Sequence, residues 1–402
     1  MPGPSIIHAI TPGDHFSPRT GSAIPTVVHG IASAAVASGD APHRVVIDGS
    51  TYRPRYDSAE VVEYTGAPAP AGRARRLDVL RGALGGSRPA IAAYYRPVAD
   101  AIRGLAPGVV LAHNAPVLVD LLEGSGHRVV LYAHNELLRT YTRAEAGRML
   151  QSAAAIVCVS DSLADATRAR LPRPLADRVR VVRNGSDTTR FVPWTDRSAE
   201  LTEGAAPRPA PVQSGERVRV LFVGRVIPDK GADVLVRAAA LVNDPSVEFV
   251  VVGSAGFARD APLSEYEARL RRLAQRSSAS IRFEPFVDRA SLPAVLADAE
   301  VFVIPSRWPD PCPLTVGEGL ASGLPIVASR IGGIPEIVPP SSRLVPPGDP
   351  AALAREIESL ASDPELRRRV GAESRAWAEA HDWTWAWGVL KGALADARGP
   401  AS

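Results

Sequence analysis

Two carboxylates, Asp310 and Glu318, stand eight positions apart in Ser306-Arg-Trp-Pro-Asp-Pro-Cys-Pro-Leu-Thr-Val-Gly-Glu318, a stretch that reads as a loop running into a helix. Pro313, with a fixed φ and no donor, suits the first position of a helix from Leu314 to Ala321 that stops at Gly323. The backbone amides of Leu314 and Thr315 then lack intrahelical partners. A helix start with free amides is an anion site, and phosphate is its commonest biological occupant. Glu318, about one turn inside, is placed to accept hydrogen bonds from a vicinal diol such as a ribose. Asp310, on the loop, faces whatever is attached beyond the phosphates. Taken singly, Asp310 reads as a turn residue and Glu318 as a solvated helix carboxylate.

Cations precede this pair. In Phe222-Val-Gly-Arg-Val-Ile-Pro-Asp-Lys-Gly231 a strand leads through a glycine loop into a helix from Ala232 to Leu241. Arg225 and Lys230 flank that loop, one as a fork and one as a point charge, which is what a diphosphate at a sheet's carboxyl end requires. Gly224 opens the loop. Gly253 begins a second glycine turn, Gly253-Ser-Ala-Gly256, that either admits a phosphate or nucleoside close to the backbone or is simply a tight turn. Val287, after Phe286, offers its backbone to a base; packing of Phe286 in the core is an equal alternative. In the first half, Gly21 lies in a loop from Thr11 to Ser22 that follows the first strand, where such sheets meet ligands. His134 ends another strand, in Tyr132-Ala-His-Asn-Glu136. An ordinary histidine pKa suits it either to donate to a substrate hydroxyl or to act as an acid/base; a capping or core role is the plainer alternative. His113-Asn114 repeats the pattern at another strand end.

Short apolar runs must position these residues. From Ile6 to Val182 they alternate with helical patterns: strands are expected over 5–10, 44–47, 109–112, 128–132, 155–159 and 178–182, with helices over 23–38, 142–152 and 162–170. Residues 51–89 are too irregular to read. A second series runs over 218–223, 248–252, 280–283, 301–304, 325–328 and 342–345. Such alternation implies an α/β fold with parallel sheets covered on both faces. Two doubly wound, Rossmann-like domains follow: residues 1–192 and 217–378, joined by a Pro-rich linker over 193–216. The tail from Pro364 to Ala395 reads as helices anchored by Trp377, Trp383, Trp385 and Trp387, with 379–402 returning toward the first domain.

At 402 residues the chain exceeds one ordinary core, and a 46% hydrophobic fraction suits a globular protein. The net charge of +3 gives no reason to expect a nucleic-acid partner. Cys158 and Cys312 fall in different expected domains, so no disulfide and a reducing cytoplasm are expected. Met1 to His8 does not read as a secretion signal, and no apolar run is long enough to span a membrane. Arg73, Arg75, Arg76, Arg81 and Arg88, interleaved with Leu77, Val79, Leu80 and Leu84, read as a solvated helix face in preference to a helix on a membrane surface. Zinc spacing, His pairs on one helix turn and a Gly-x-Ser-x-Gly nucleophile turn are all missing, so no metal and no cofactor are expected.

Taken in order, Gly224-Arg225 with Lys230-Gly231, Val287, the two acids Asp310 and Glu318, Gly332-Gly-Ile-Pro-Glu336, His134-Asn-Glu136 and Asn184-Gly-Ser-Asp187 with Phe191 resemble glycosyltransferase family 4. That is the retaining, nucleotide-sugar-dependent class of GT-B fold, and the likeness is to its spore-coat-like and aminoglycoside-like members. The resemblance implies two domains facing a central cleft, residues 1–192 on the acceptor side and 217–378 for the nucleotide sugar. It gives the donor diphosphate to Arg225, Lys230 and the Leu314 and Thr315 amides, the ribose to Glu318, and the transferred sugar to Asp310 and His134. Gly21 would let its loop approach the diphosphate. No metal is implied, since the cations and the helix start stabilise the leaving group. The sequence departs from the family where Asp310 replaces Glu, where Cys312-Pro313 replace Phe-Gly, and where Ser22 follows Gly21 in place of a second glycine. The expected reaction moves a hexose or amino-hexose, from a UDP-sugar, to a hydroxyl of a small-molecule or glycan acceptor. A sugar-nucleotide-binding protein without turnover and a nucleotide-sugar epimerase are the alternatives.

Overall fold

In the computed structural model the apolar runs become strands of two separate parallel sheets; the structure describes residues 5–193, 217–257 and 259–397. The chain divides into two units, Met1–Asn184 with Trp383–Ser402, and Gly185–Asp382. The expected boundaries were 192 and 378, and of the linker expected over 193–216 all but Pro193 lies outside the described residues.

The first unit contains β1 (Ile6–Ala9), β2 (His43–Asp48), β3 (Ala59–Tyr64), β4 (Val109–His113), β5 (Arg128–Ala133), β6 (Ala155–Cys158) and β7 (Val179–Val181). Their order is β3-β2-β1-β4-β5-β6-β7, and every pairing is parallel. The order reverses between β1 and β4, so the loops leaving those strands open where such sheets bind ligands. Strand β3 lies in the stretch that sequence could not read. It is an edge strand whose Glu60 and Glu63 pair with Arg44 and with Arg53 and Arg55, which gives it a polar composition. Helix Trp383–Ala395 belongs to this unit: a Cβ on Gly30, in helix Ala23–Ala37, would lie 2.3 Å from the Trp383 ring.

The second unit contains β8 (Val218–Val223), β9 (Val247–Val252), β10 (Ser280–Glu284), β11 (Val301–Ile304), β12 (Ile326–Ser329) and β13 (Arg343–Val345), in the order β10-β9-β8-β11-β12-β13. Alternate residues feed two cores. Val218, Val220 and Phe222 face one with Leu235 and Ile357; Leu221, Val250 and Phe302 face the other with Val316 and Leu320. Both faces are buried, which is why these strands read as nearly continuous apolar runs. Here the order reverses between β8 and β11, so the Arg225–Lys230 loop and the Asp310 loop leave neighbouring strands.

The basic stretch forms helix Gly72–Ala83, and most of its arginines are exposed, but one part of the expectation needs correction. Leu77, Leu80 and Leu84 are exposed beside them. Arg88 is not solvated: it pairs with Glu145 at 2.6 Å and lies over the Tyr141 ring.

Candidate active site

On the second unit the glycine loop is held by its backbone. The amide of Gly224 donates to the carbonyl of Val252 (3.1 Å), and the amides of Arg307 and Trp308 donate to that of Asp229 (2.8 and 3.2 Å), tying the loop after β8 to the loop after β11. Gly231 closes the turn with φ +72°, and a Cβ there would stand 1.9 Å from the carbonyl oxygen of Pro305. Glycine is required on both grounds. Gly253, at φ +137°, brings the next turn against Gly224, whose carbonyl oxygen would be 2.0 Å from a Cβ.

This junction sets Lys230 and Asp310 together as an ion pair, with Asp310 buried. The sequence reading gave them to different parts of a ligand; the structure makes Lys230 the counter-charge that lets Asp310 sit out of water. Arg225 is exposed at the mouth of the same loop. Helix Leu314–Ala321 begins as expected, except that Pro313 is its cap and not its first residue: ψ of 123° places it in extended backbone. Proline has no side chain able to cap, and among the described residues the helix start has no side-chain cap hydrogen bond. Cys312, before it, is buried.

Glu318 is 5% exposed, and its Oε1 accepts from Arg289 Nη2 at 2.7 Å. Arg289 was not expected. A carboxylate this deep needs a cation, but nothing in the local sequence says which residue supplies it. Oε2 of Glu318 is buried with no hydrogen-bond partner among the described residues, an acceptor held ready in a dry position. Val287 is half-buried on the loop that carries Arg289, and Phe286 meets Phe257 edge to face, with centroids 5.9 Å apart. Loops from four strand ends thus bring Gly224, Arg225, Lys230, Gly253, Val287, Asp310 and the Leu314–Thr315 amides to the carboxyl end of one sheet.

Gly21 and His134 belong to the first unit. Gly21 is partly exposed, and the neighbouring Ser22 donates to Asp14 at 3.1 Å. Burial raises the Asp14 carboxyl above its ordinary value despite that bond. His134 is 8% exposed, its amide donates to Asn114 Oδ1 (2.7 Å), and its Nε2 lies 2.8 Å from His113 Nδ1. Burial drives its pKa down to about 3. Of the expected roles, a ring neutral at physiological pH keeps those of hydrogen-bond donor and base; the acid role alone is corrected, because the ring has no imidazolium proton to give. Among the described residues no cluster of three or more His, Cys, Asp or Glu could hold a metal ion, and no helix is long and apolar enough to cross a membrane.

Residues 208–377 match the family model "Glycosyl transferases group 1", and residues 24–190 match "Glycosyltransferase Family 4". Spore coat protein SA of Bacillus subtilis is 31% identical over 260 residues, covering 63% of this chain and 68% of that one. D-inositol 3-phosphate glycosyltransferase of Streptomyces scabiei is 34% identical over 214 residues, 52% of this chain and 46% of that one. Among solved structures, Anabaena HepE in complex with UDP and glucose superposes with a TM-score of 0.70 at 17% identity, over 98% of this chain and 100% of that one. Sucrose-phosphate synthase from Thermosynechococcus elongatus gives 0.70 at 20% identity, over 98% and 100%. Two parallel Rossmann-like sheets, matched along nearly the whole chain, with both halves recognised by the corresponding models, make this chain a glycosyltransferase of GT-B fold that belongs to family 4, in its spore-coat-like branch.

Proposed function

We propose that this protein transfers a hexose or amino-hexose from a nucleoside-diphosphate sugar, a UDP-sugar, to a hydroxyl of a small-molecule or glycan acceptor, with retention and without a metal. The observation that carries the reading is the second unit's combination of an uncapped helix start, a cationic glycine loop and the unpartnered Oε2 of Glu318 at one sheet end. The first two suit a diphosphate and the third a ribose hydroxyl. HepE, of the same fold, was solved with UDP and glucose. In this reading Arg225, Lys230 and the Leu314 and Thr315 amides take the diphosphate, Glu318 the ribose, and Asp310 and His134 the transferred sugar. The bond from the sugar's anomeric carbon to the diphosphate breaks, the bond to the acceptor oxygen forms on the same face, and the acceptor's proton passes to the departing phosphate. Developing charge on that phosphate is met by fixed cations and helix amides.

The test is a calorimetric titration with UDP followed by a UDP-release assay over nucleotide sugars and acceptors, with product configuration read by NMR and the assay repeated in chelator. UDP binding, acceptor-dependent release, an axial product from an axial donor and indifference to chelator are expected. Sugar interconversion without acceptor would replace the reading with epimerisation, and binding without turnover would replace it with a binding protein.

A further inference from the structure

The sheet face that carries His134 carries three more histidines. His8 pairs in register with Val45 of β2 and Leu111 of β4. His43, two before Val45, and His113, two after Leu111, therefore point the same way, as does His134, two after the Tyr132 that pairs with His113. The rings join end to end: His43 Nδ1 to His8 Nε2 at 2.9 Å, His8 Nδ1 to His113 Nε2 at 2.9 Å, and His113 Nδ1 to His134 Nε2 at 2.8 Å. All four are buried. Burial pushes each ring well below its ordinary pKa, so each is neutral and carries a single N–H.

Three links need one proton each, and four neutral rings supply four. The spare proton must sit at one end, on His43 Nε2 or on His134 Nδ1. His43 Nε2 is buried and has no hydrogen-bond partner among the described residues. The carboxylate of Asp40, near that end, is already engaged by Trp387 Nε1 and Lys391. A buried donor left unmade is the costlier orphan, while a buried bare acceptor is better tolerated. We propose that His43, His8 and His113 are positioning residues that hold His134 as its Nδ1–H tautomer, so that His134 meets substrate only as a hydrogen-bond donor to an oxygen. The consequence for the sugar rests on the proposed function; the tautomer itself is a property of the free protein.

Long-range proton–nitrogen correlation on protein labelled with 15N-histidine, at neutral pH and without ligand, reads the tautomer of each ring. The result expected is a protonated Nδ1 and a bare Nε2 for all four. His43→Phe, which keeps a ring beside Trp387, removes one set of signals and leaves His8 with a bare Nε2 and His134 unchanged. An Nε2–H on His134, with the His43 N–H aimed at the Trp387 ring, would overturn the proposal, as would a mixture of tautomers. Titrating UDP into the same sample separates the two readings: loss of binding with the tautomer intact sinks only the proposed function, and binding with a reversed tautomer sinks only this one.

Discussion

Arg289→Met puts the buried pair to the test, because it removes the cation and retains most of the apolar stem. The side chains of Arg289 and Glu318 are 10% and 6% exposed and 2.7 Å apart. Removing one partner of a buried pair typically costs about 3–5 kcal/mol, since the other charge is left in a dry site. For a unit of this size each kcal/mol moves the midpoint by about 2–4 °C, so a fall of roughly 6–20 °C is expected in the transition of the second unit. Scanning calorimetry measures it. Arg289→Met with Glu318→Gln should recover most of the loss, because no charge remains to be buried. A fall of less than about 2 °C at neutral pH, or a double variant as unstable as the single, would show that solvent or another cation serves Glu318 and would refute the reasoning.

Lys230→Ala should weaken UDP binding at least tenfold, about 1.4 kcal/mol, while Asp310→Asn should keep UDP affinity and lose transfer; calorimetry and a release assay decide, and wild-type behaviour in either refutes the division of roles. Gly231→Ala meets both a left-handed φ and the Pro305 carbonyl, so it should lower the stability of the second unit by more than about 1 kcal/mol in thermal unfolding. The buried histidines make the first unit sensitive to acid. His134 titrates at about 3 and His43 at about 4 in the folded state, against about 6.5 unfolded. Their contribution is therefore full above pH about 6.5 and is lost as pH falls toward 4 and 3. A first-unit midpoint that stays level between neutrality and pH about 4.5 would contradict it.

Much of this arrangement could be read from the chain because both sheets are covered on both faces. Runs such as Val247–Val252 and Val301–Ile304 are apolar throughout, and the glycine loop after Val218–Val223 announces itself by Gly224 and Gly231. What escaped reading depends on sequence-distant partners. Ala59–Tyr64 is an edge strand whose glutamates answer arginines on other segments, so its composition resembles a loop. Arg289 meets Glu318 only because the loop after β10 folds over helix Leu314–Ala321. His8, His43, His113 and His134 are unremarkable singly; strand order and register alone place them on one face.

The first unit is interrupted in sequence by the whole of the second, and this bears on how the protein is made. Its helix Trp383–Ala395, whose Trp383 ring fills the space left by Gly30, emerges from the ribosome after Gly185–Asp382 has been synthesised. At about 5–20 residues per second, that is a wait on the order of 10–40 s. Until then helix Ala23–Ala37 exposes an apolar surface beside a sheet that is otherwise complete, and His43 lacks its Trp387 neighbour. The intervening unit is continuous and can finish folding first. A nascent chain would therefore hold a finished second half and an unclosed first half, which makes the surface around Gly30 a natural place for a chaperone to hold. A fragment ending at Asn184 would keep that surface open permanently.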